Sequence, residues 1–250
     1  MPRRLGQHFL KRAPVLERIA GAACPEAENT VVEIGPGRGA LTERLLPRTA
    51  RLVAIEVDPQ LVERLRSRFG ADARFEAVQG DVLETDLAQW GPAVVAGNLP
   101  YYITSPILER VLALGPLLVR AVFLVQWEVA ERLVAGPGSR NYGLLSVRTQ
   151  LAAEPRLLFR VPPEAFSPPP KVESAVVCLT PRDRTAELGL DSVERFLDFA
   201  GLCFRHKRKT LRNNLAGRYG REALAGLPEG GLRAEQLSAG QLAALYRLLL

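Results

Sequence analysis

Apolar runs rich in β-branched residues recur through the first half of the chain, at Thr30–Gly35, Arg51–Glu56, Arg74–Gln79, Ala93–Gly97 and Arg120–Gln126, with helix-like spacing between them. Strands alternating with helices predict a parallel sheet flanked by helices. After the second run, Asp58-Pro59 supplies an N-cap and a first-turn proline, and Leu61, Leu65 and Phe69 follow at four-residue spacing, which predicts a helix. Two later runs, Leu157–Val161 and Ser174–Leu179, have no helical stretch between them and predict an antiparallel pair closing the sheet. The tract Pro168-Pro169-Pro170 forms a stiff extended link. Beyond Pro181 the pattern changes: Val193, Phe196, Leu197 and Ala200 mark one amphipathic helix, and Leu242, Leu245, Tyr246 and Leu249 another. The expected organisation is an α/β domain over residues 1–182 and a small all-helical domain over 183–250.

Composition narrows the class. Hydrophobic residues are 47% and charged residues 24% of 250, as in a folded globular protein. No run approaches the roughly twenty apolar residues that a bilayer requires, and the basic N-terminus lacks the apolar core of a signal peptide, so the expected location is the cytosol. Three cysteines, Cys24, Cys178 and Cys203, without C-x-x-C spacing read as reduced packing residues. The two histidines, His8 and His206, are too few and too distant for a histidine-ligated metal centre or a Ser-His-Asp hydrolase, and no metal is expected.

Charge is unevenly placed. The chain totals +6, yet Arg205, Lys207, Arg208, Lys209, Arg212, Arg218 and Arg221 fall within residues 201–221 with no acidic residue among them. A second basic pole comprises Arg3, Arg4, Lys11, Arg12 and Arg18 against Glu17. A near-neutral body with basic ends suits a nucleic acid, because each neutralised phosphate releases condensed counterions.

The chemistry concentrates after the strands. Glu33-Ile34-Gly35-Pro36-Gly37-Arg38-Gly39-Ala40 follows the first, where glycines permit a tight turn and close backbone approach to a ligand. The loop also satisfies the relaxed dinucleotide pattern G-x-G-x-x-A, and it lacks the Gly-Lys-Ser/Thr ending of a phosphate-gripping loop. Glu56 ends the second strand, where a carboxylate can accept from both hydroxyls of a ribose. Asp81, in Gln79-Gly80-Asp81-Val82, is placed either to accept from an adenine amine or to cap a helix. Asn98-Leu99-Pro100-Tyr101 follows the fourth strand. The lone pair of an aromatic amine such as adenine N6 is delocalised into the ring, so an enzyme must hold the nitrogen with acceptors. The Asn98 side-chain oxygen and the Leu99 carbonyl, extended before Pro100, are candidates, and Tyr101 can stack on the base. A turn with a buried tyrosine is the alternative.

Gly35-Pro-Gly37, Glu56, Asp81 and Asn98-Leu-Pro-Tyr101 resemble the motifs of S-adenosylmethionine-dependent adenine-N6 methyltransferases of the Rossmann-like class. More narrowly, Gln7-His8-Phe9-Leu10, the run from Asn98 to Ile107, the block Phe166-Ser-Pro-Pro-Pro-Lys171-Val-Glu-Ser-Ala-Val176 and the block Lys207-Arg-Lys-Thr-Leu-Arg-Asn-Asn-Leu215 resemble the small-subunit ribosomal RNA adenine dimethyltransferases. This chain departs from that family's Gln-Asn-Phe-Leu by carrying His8. The resemblance implies a Rossmann-like class I fold with seven strands, the last antiparallel. The implied reaction is two methyl transfers to N6 of each of two adjacent adenosines near the 3′ end of 16S rRNA. It further implies His8, Leu10, Glu33, Gly35, Gly37, Glu56, Asp81, Val82 and Asn98 around S-adenosylmethionine, and Asn98, Leu99, Pro100, Tyr101 and Phe166 at the reacting base. Lys171, Arg205, Lys207, Arg208, Lys209 and Arg212 are the expected RNA contacts. Tyr102, Trp90 and Trp127 are expected to be structural. A 23S rRNA methyltransferase of the macrolide-resistance type and an assembly factor binding immature small subunits remain alternatives. A monomer is expected.

Overall fold

The structure, a computed structural model, describes residues 8–250; Gln7 and the basic residues Arg3 and Arg4 lie outside the described residues. The strands are β1 (Phe9–Leu10), β2 (Glu28–Ile34), β3 (Thr49–Glu56), β4 (Phe75–Gln79), β5 (Ala93–Asn98), β6 (Leu118–Gln126), β7 (Ala153–Val161), β8 (Phe166–Ser167) and β9 (Ser174–Pro181). The helices are α1 (Ala13–Ala23), α2 (Thr42–Leu45), α3 (Pro59–Phe69), α4 (Thr104–Leu112), α5 (Trp127–Val134), α6 (Leu144–Ala152), α7 (Val193–Cys203), α8 (Leu211–Tyr219) and α9 (Ala239–Leu248). The chain divides into two compact units, Met1–Ala130 with Glu154–Pro181, and Glu131–Ala153 with Arg182–Leu250.

In the first unit, the seven-stranded sheet runs β4-β3-β2-β5-β6-β9-β7. The pairs β2·β3, β3·β4, β2·β5 and β5·β6 are parallel, and β9 runs antiparallel to β6. From β2 the chain proceeds outward to β3 and β4, then returns to lay β5 on the other side of β2. The carboxyl ends of β2 and β5 therefore meet at a topological switch point, where open α/β sheets bind ligands. Close pairing there needs Gly97: opposite Ile34 in register, it leaves no room for a Cβ against the Ile34 carbonyl. Above the sheet, Ile19, Ala20 and Ala23 of α1 share one buried cluster with Val31, Val94, Val122 and Cys178. The helix expected after the second run is α3, with the Asp58 carboxylate accepting from Gln60 N at 2.9 Å and Pro59 in the first turn. A short ribbon, β1 with β8, pairs Phe9 with Ser167 and Leu10 with Phe166, joining the Gln-His-Phe-Leu and Phe-Ser-Pro-Pro-Pro motifs.

The second unit is helical. Phe196, Phe199, Leu211, Leu215, Leu242, Leu245 and Tyr246 build its core together with Tyr142, Val147 and Leu151. The sequence expectation of a single boundary near residue 183 assigned this last group to the α/β domain. The difference has a physical cause: the spacing of Val147 and Leu151 predicts a buried helix face without saying which core receives it. The three cysteines are free and buried, and burial pushes the thiols of Cys24 and Cys203 up to about 11 and about 12. Among the described residues no helix is long and apolar enough to cross a membrane.

Candidate functional site

A cavity of about 500 Å³ opens at the switch point. Its lining includes His8, Leu10, Glu33, Gly35, Gly37, Glu56, Asp81, Val82, Asn98, Leu99, Pro100 and Tyr101, and Ser167 as well, so residues far apart in the sequence converge there. Strand register explains the convergence: Ile34, Ile55 and Val78 are aligned across β2, β3 and β4, and Gly97 is aligned with Ile34. The glycine loop, Glu56, Asp81 and Asn98 consequently leave the same edge of the sheet.

Gly37 has φ of +57°, in the left-handed region, and a Cβ there would meet the Phe9 ring at 3.0 Å. Its amide donates to Glu56 Oε2 at 3.0 Å, while Glu56 Oε1 accepts from the amides of Val57 at 3.0 Å and Asp58 at 3.1 Å. Burial raises the pKa of Glu56, and these backbone donors oppose that shift. Glu33 is 1% exposed and accepts from Thr42 Oγ1 at 2.6 Å. Burial, reinforced by the nearby charge of Glu56, pushes the Glu33 carboxyl up to about 8, against the Thr42 hydrogen bond. Two carboxyl groups thus line one cavity, and burial favours the protonated form of each. Asp81 Oδ1 accepts from Leu83 N at 2.8 Å, the local turn that is its alternative role, although the residue also lines the cavity.

Asn98 is held in one orientation. Its Nδ2 donates to the His8 backbone carbonyl at 2.9 Å. A carbonyl can only accept, so the amide nitrogen must face it and Oδ1 is left as a free acceptor on the other side. The Leu99 amide donates to Leu124 O at 3.1 Å, and its carbonyl takes part in none of the turn or loop backbone hydrogen bonds among the described residues. The Tyr101 hydroxyl is 2.7 Å from Ser174 Oγ, and its ring stacks on His8 with centroids 5.9 Å apart. Burial raises the tyrosine pKa and the Ser174 contact opposes it. His8 contributes its backbone carbonyl to Asn98 and anchors its own Nδ1 on the Pro168 carbonyl at 2.8 Å. Histidine in place of asparagine therefore leaves the carbonyl contact untouched.

One expectation fails. Phe166 is 1% exposed and lies in the core cluster with Leu10, Leu16 and Ala165. A ring enclosed on both faces has no surface for a purine; it anchors the β1·β8 ribbon instead. Tyr102, expected to be structural, is exposed and lines the cavity. Lys11, part of the basic N-terminal pole, and Arg38, within the glycine loop, also line the cavity; Val57, Thr42 and Ser174 line or brace it as well, and sequence reasoning does not reach these three, since none stands out by type or spacing.

In the second unit, Arg205, Lys207, Arg208 and Lys209 occupy an exposed loop between α7 and α8. Asn214, 9% exposed, organises it. Its Nδ2 donates to the carbonyls of Cys203 at 2.8 Å, His206 at 3.2 Å and Lys209 at 3.4 Å, and its Oδ1 accepts from His206 N at 3.2 Å. The second asparagine of the Lys-Arg-Lys-Thr-Leu-Arg-Asn-Asn-Leu block is thus the internal staple of the basic loop. Among the described residues no carboxylate pairs with these four bases. Arg212 is exposed on α8 and reaches back to the Ala225 carbonyl at 3.4 Å. Lys171 is exposed in the first unit, directly after the three prolines.

A family model described as ribosomal RNA adenine dimethylase matches residues 2–249. The chain belongs to the ribosomal RNA adenine dimethylase family. Within it, the chain is 48% identical to ribosomal RNA small subunit methyltransferase A of Acidobacterium capsulatum, covering 98% of this chain and 90% of that one. It is 42% identical to the protein of the same name from Synechococcus elongatus, over 96% and 91% of the two chains. Among solved structures, a dimethyladenosine transferase from Plasmodium falciparum superposes with a TM-score of 0.82 at 26% identity, covering 95% and 96% of the chains. The 23S rRNA methyltransferase ErmE superposes with a TM-score of 0.74 at 29% identity, over 96% and 99%. The dimethylase family membership makes this an rRNA adenine dimethyltransferase with a class I methyltransferase fold.

Proposed function

We propose that this dimethylase uses S-adenosylmethionine to dimethylate N6 of two adjacent adenosines near the 3′ end of 16S rRNA, within the small ribosomal subunit or its precursor, in the cytosol. The observation that carries the reading is the fixed Asn98 amide, whose free Oδ1 stands in the cavity beside Leu99 and Tyr101. Two acceptors there favour the pyramidal form of an attacking adenine N6, and Tyr101, held through its hydroxyl by Ser174, presents a fixed ring to the base. The cavity also fits the cofactor: Gly37, at positive φ, shapes the loop that lines it, Glu56 can take ribose hydroxyls, Asp81 can take the adenine amine, and Val82 and Leu10 add apolar wall. When bound, S-adenosylmethionine supplies the electrophilic methyl group. Glu33, buried beside Glu56 and held by Thr42, braces the wall of the cavity. Because the target base must leave its stack, the cavity has to receive a flipped purine. Lys171 and the exposed bases of the 205–212 segment would hold the RNA backbone.

The names of the relatives at 42–48% identity favour the small subunit over the 23S alternative. A monomer is the oligomeric state that this reading takes. Incubation of the protein with labelled cofactor and unmodified small subunits, followed by mass spectrometry of the nucleosides, tests the reading. N6,N6-dimethyladenosine from the 16S 3′ region is expected. Label in another nucleoside, or only in 23S rRNA, would overturn it.

A further inference from the structure

The geometry points to Tyr102 as a stacking platform at the cavity mouth, holding the nucleotide next to the adenosine that is being methylated. The inference rests on the proposed function and extends it to a residue outside the Asn98–Tyr101 motif. Tyr102 is 64% exposed, yet it belongs to the same cavity wall as Asn98 and Tyr101. Its neighbour Tyr101 is tied by Ser174 and has one face covered by His8. Among the described residues Tyr102 has neither an aromatic partner nor a hydrogen bond to its hydroxyl. Its ring is therefore open to receive the face of a base.

Its mounting is rigid. Residues 101–103 form a single 3-10 turn, closed by Ile103 N donating to Pro100 O at 3.2 Å and braced by Thr104 Oγ1 on the same carbonyl at 3.0 Å. Lys11 and Arg38 line the same cavity, providing positive charge for a phosphate backbone. Flipping one adenosine into the cavity strips its neighbour of a stacking partner, and an exposed ring at the rim replaces it. Stacking on an aromatic face is sequence-tolerant, so one platform serves whichever of the two adjacent adenosines is waiting outside. With the Phe166 ring enclosed, Tyr102 is the most exposed of the rings that line the cavity.

Steady-state methylation of unmodified small subunits by the full chain tests the inference, comparing Tyr102→Leu, which keeps bulk but loses the aromatic face, with Tyr102→Phe, which loses only the hydroxyl. The leucine variant should raise KM for subunits at least about fivefold, with cofactor affinity by calorimetry and melting temperature unchanged; the phenylalanine variant should match the parent. An unchanged KM in the leucine variant overturns the inference while leaving the methylation reading intact. Equal losses in both variants also overturn it, since they would assign the effect to the hydroxyl. If the parent protein methylates no adenosine, the functional reading falls first and the platform with it.

Discussion

The Asn98 amide illustrates how one side chain acquires a function from a partner ninety residues away. Tied to the His8 carbonyl, it offers one defined acceptor to the cavity. Asn98→Ala should reduce kcat by roughly 10²–10³-fold, by analogy with removal of a preorganised hydrogen-bonding group elsewhere, while calorimetry still detects cofactor binding. Normal turnover would remove Asn98 from the chemistry. Glu33 makes a second residue-level prediction. Its carboxyl is raised to about 8 by burial and by Glu56, so the folded state binds a proton that the unfolded state has lost. Its stabilising contribution is therefore full below the unfolded value of 4.5 and is lost as pH rises through about 8. Denaturation midpoints measured from pH 5 to 9 should fall less steeply for Glu33→Gln than for the parent, and parallel curves would contradict this linkage. Both residues are legible in the sequence because each sits in a compact motif. Tyr102 and Ser174 are not, because exposure and a contact across 73 positions have no local pattern.

At the scale of elements, the α7–α8 loop shows what one asparagine of the basic block does. Exposed bases on a free loop would lose conformational entropy on meeting RNA. Asn214 pre-empts part of that loss by gripping three carbonyls and one amide of the loop and its edges. Asn214→Ala keeps the charge but leaves the buried Cys203 carbonyl without this donor, a cost of about 1–3 kcal/mol. A lower melting temperature and weaker binding to 16S rRNA are expected, measured by calorimetry and filter binding; unchanged affinity would mean the loop needs no staple. The β1·β8 ribbon makes a related point. Both of its strands are visible as motifs, but their pairing is not, and Phe166 misleads because a loop phenylalanine before three prolines looks exposed until its partner Leu10 is known.

For the whole molecule, charge placement yields a separate prediction. Replacing Arg205, Lys207, Arg208 and Lys209 by Ala should weaken RNA binding and flatten log K against log salt by roughly 0.7 for each phosphate no longer neutralised. An unchanged slope would show that these bases face only solvent. By itself, the sequence determined the alternation of strands and helices, the glycine loop, Glu56, Asp81, Asn98 and the basic segment, because periodicity, turn chemistry and charge are properties of near neighbours. Tertiary structure decided the rest: which core receives the 131–153 segment, that Phe166 is enclosed and Tyr102 open, and that His8 orients Asn98. Those outcomes depend on contacts between segments distant in the chain, such as the β1·β8 pairing, the His8–Asn98 hydrogen bond and the packing of Val147 and Leu151 with Phe196 and Leu211.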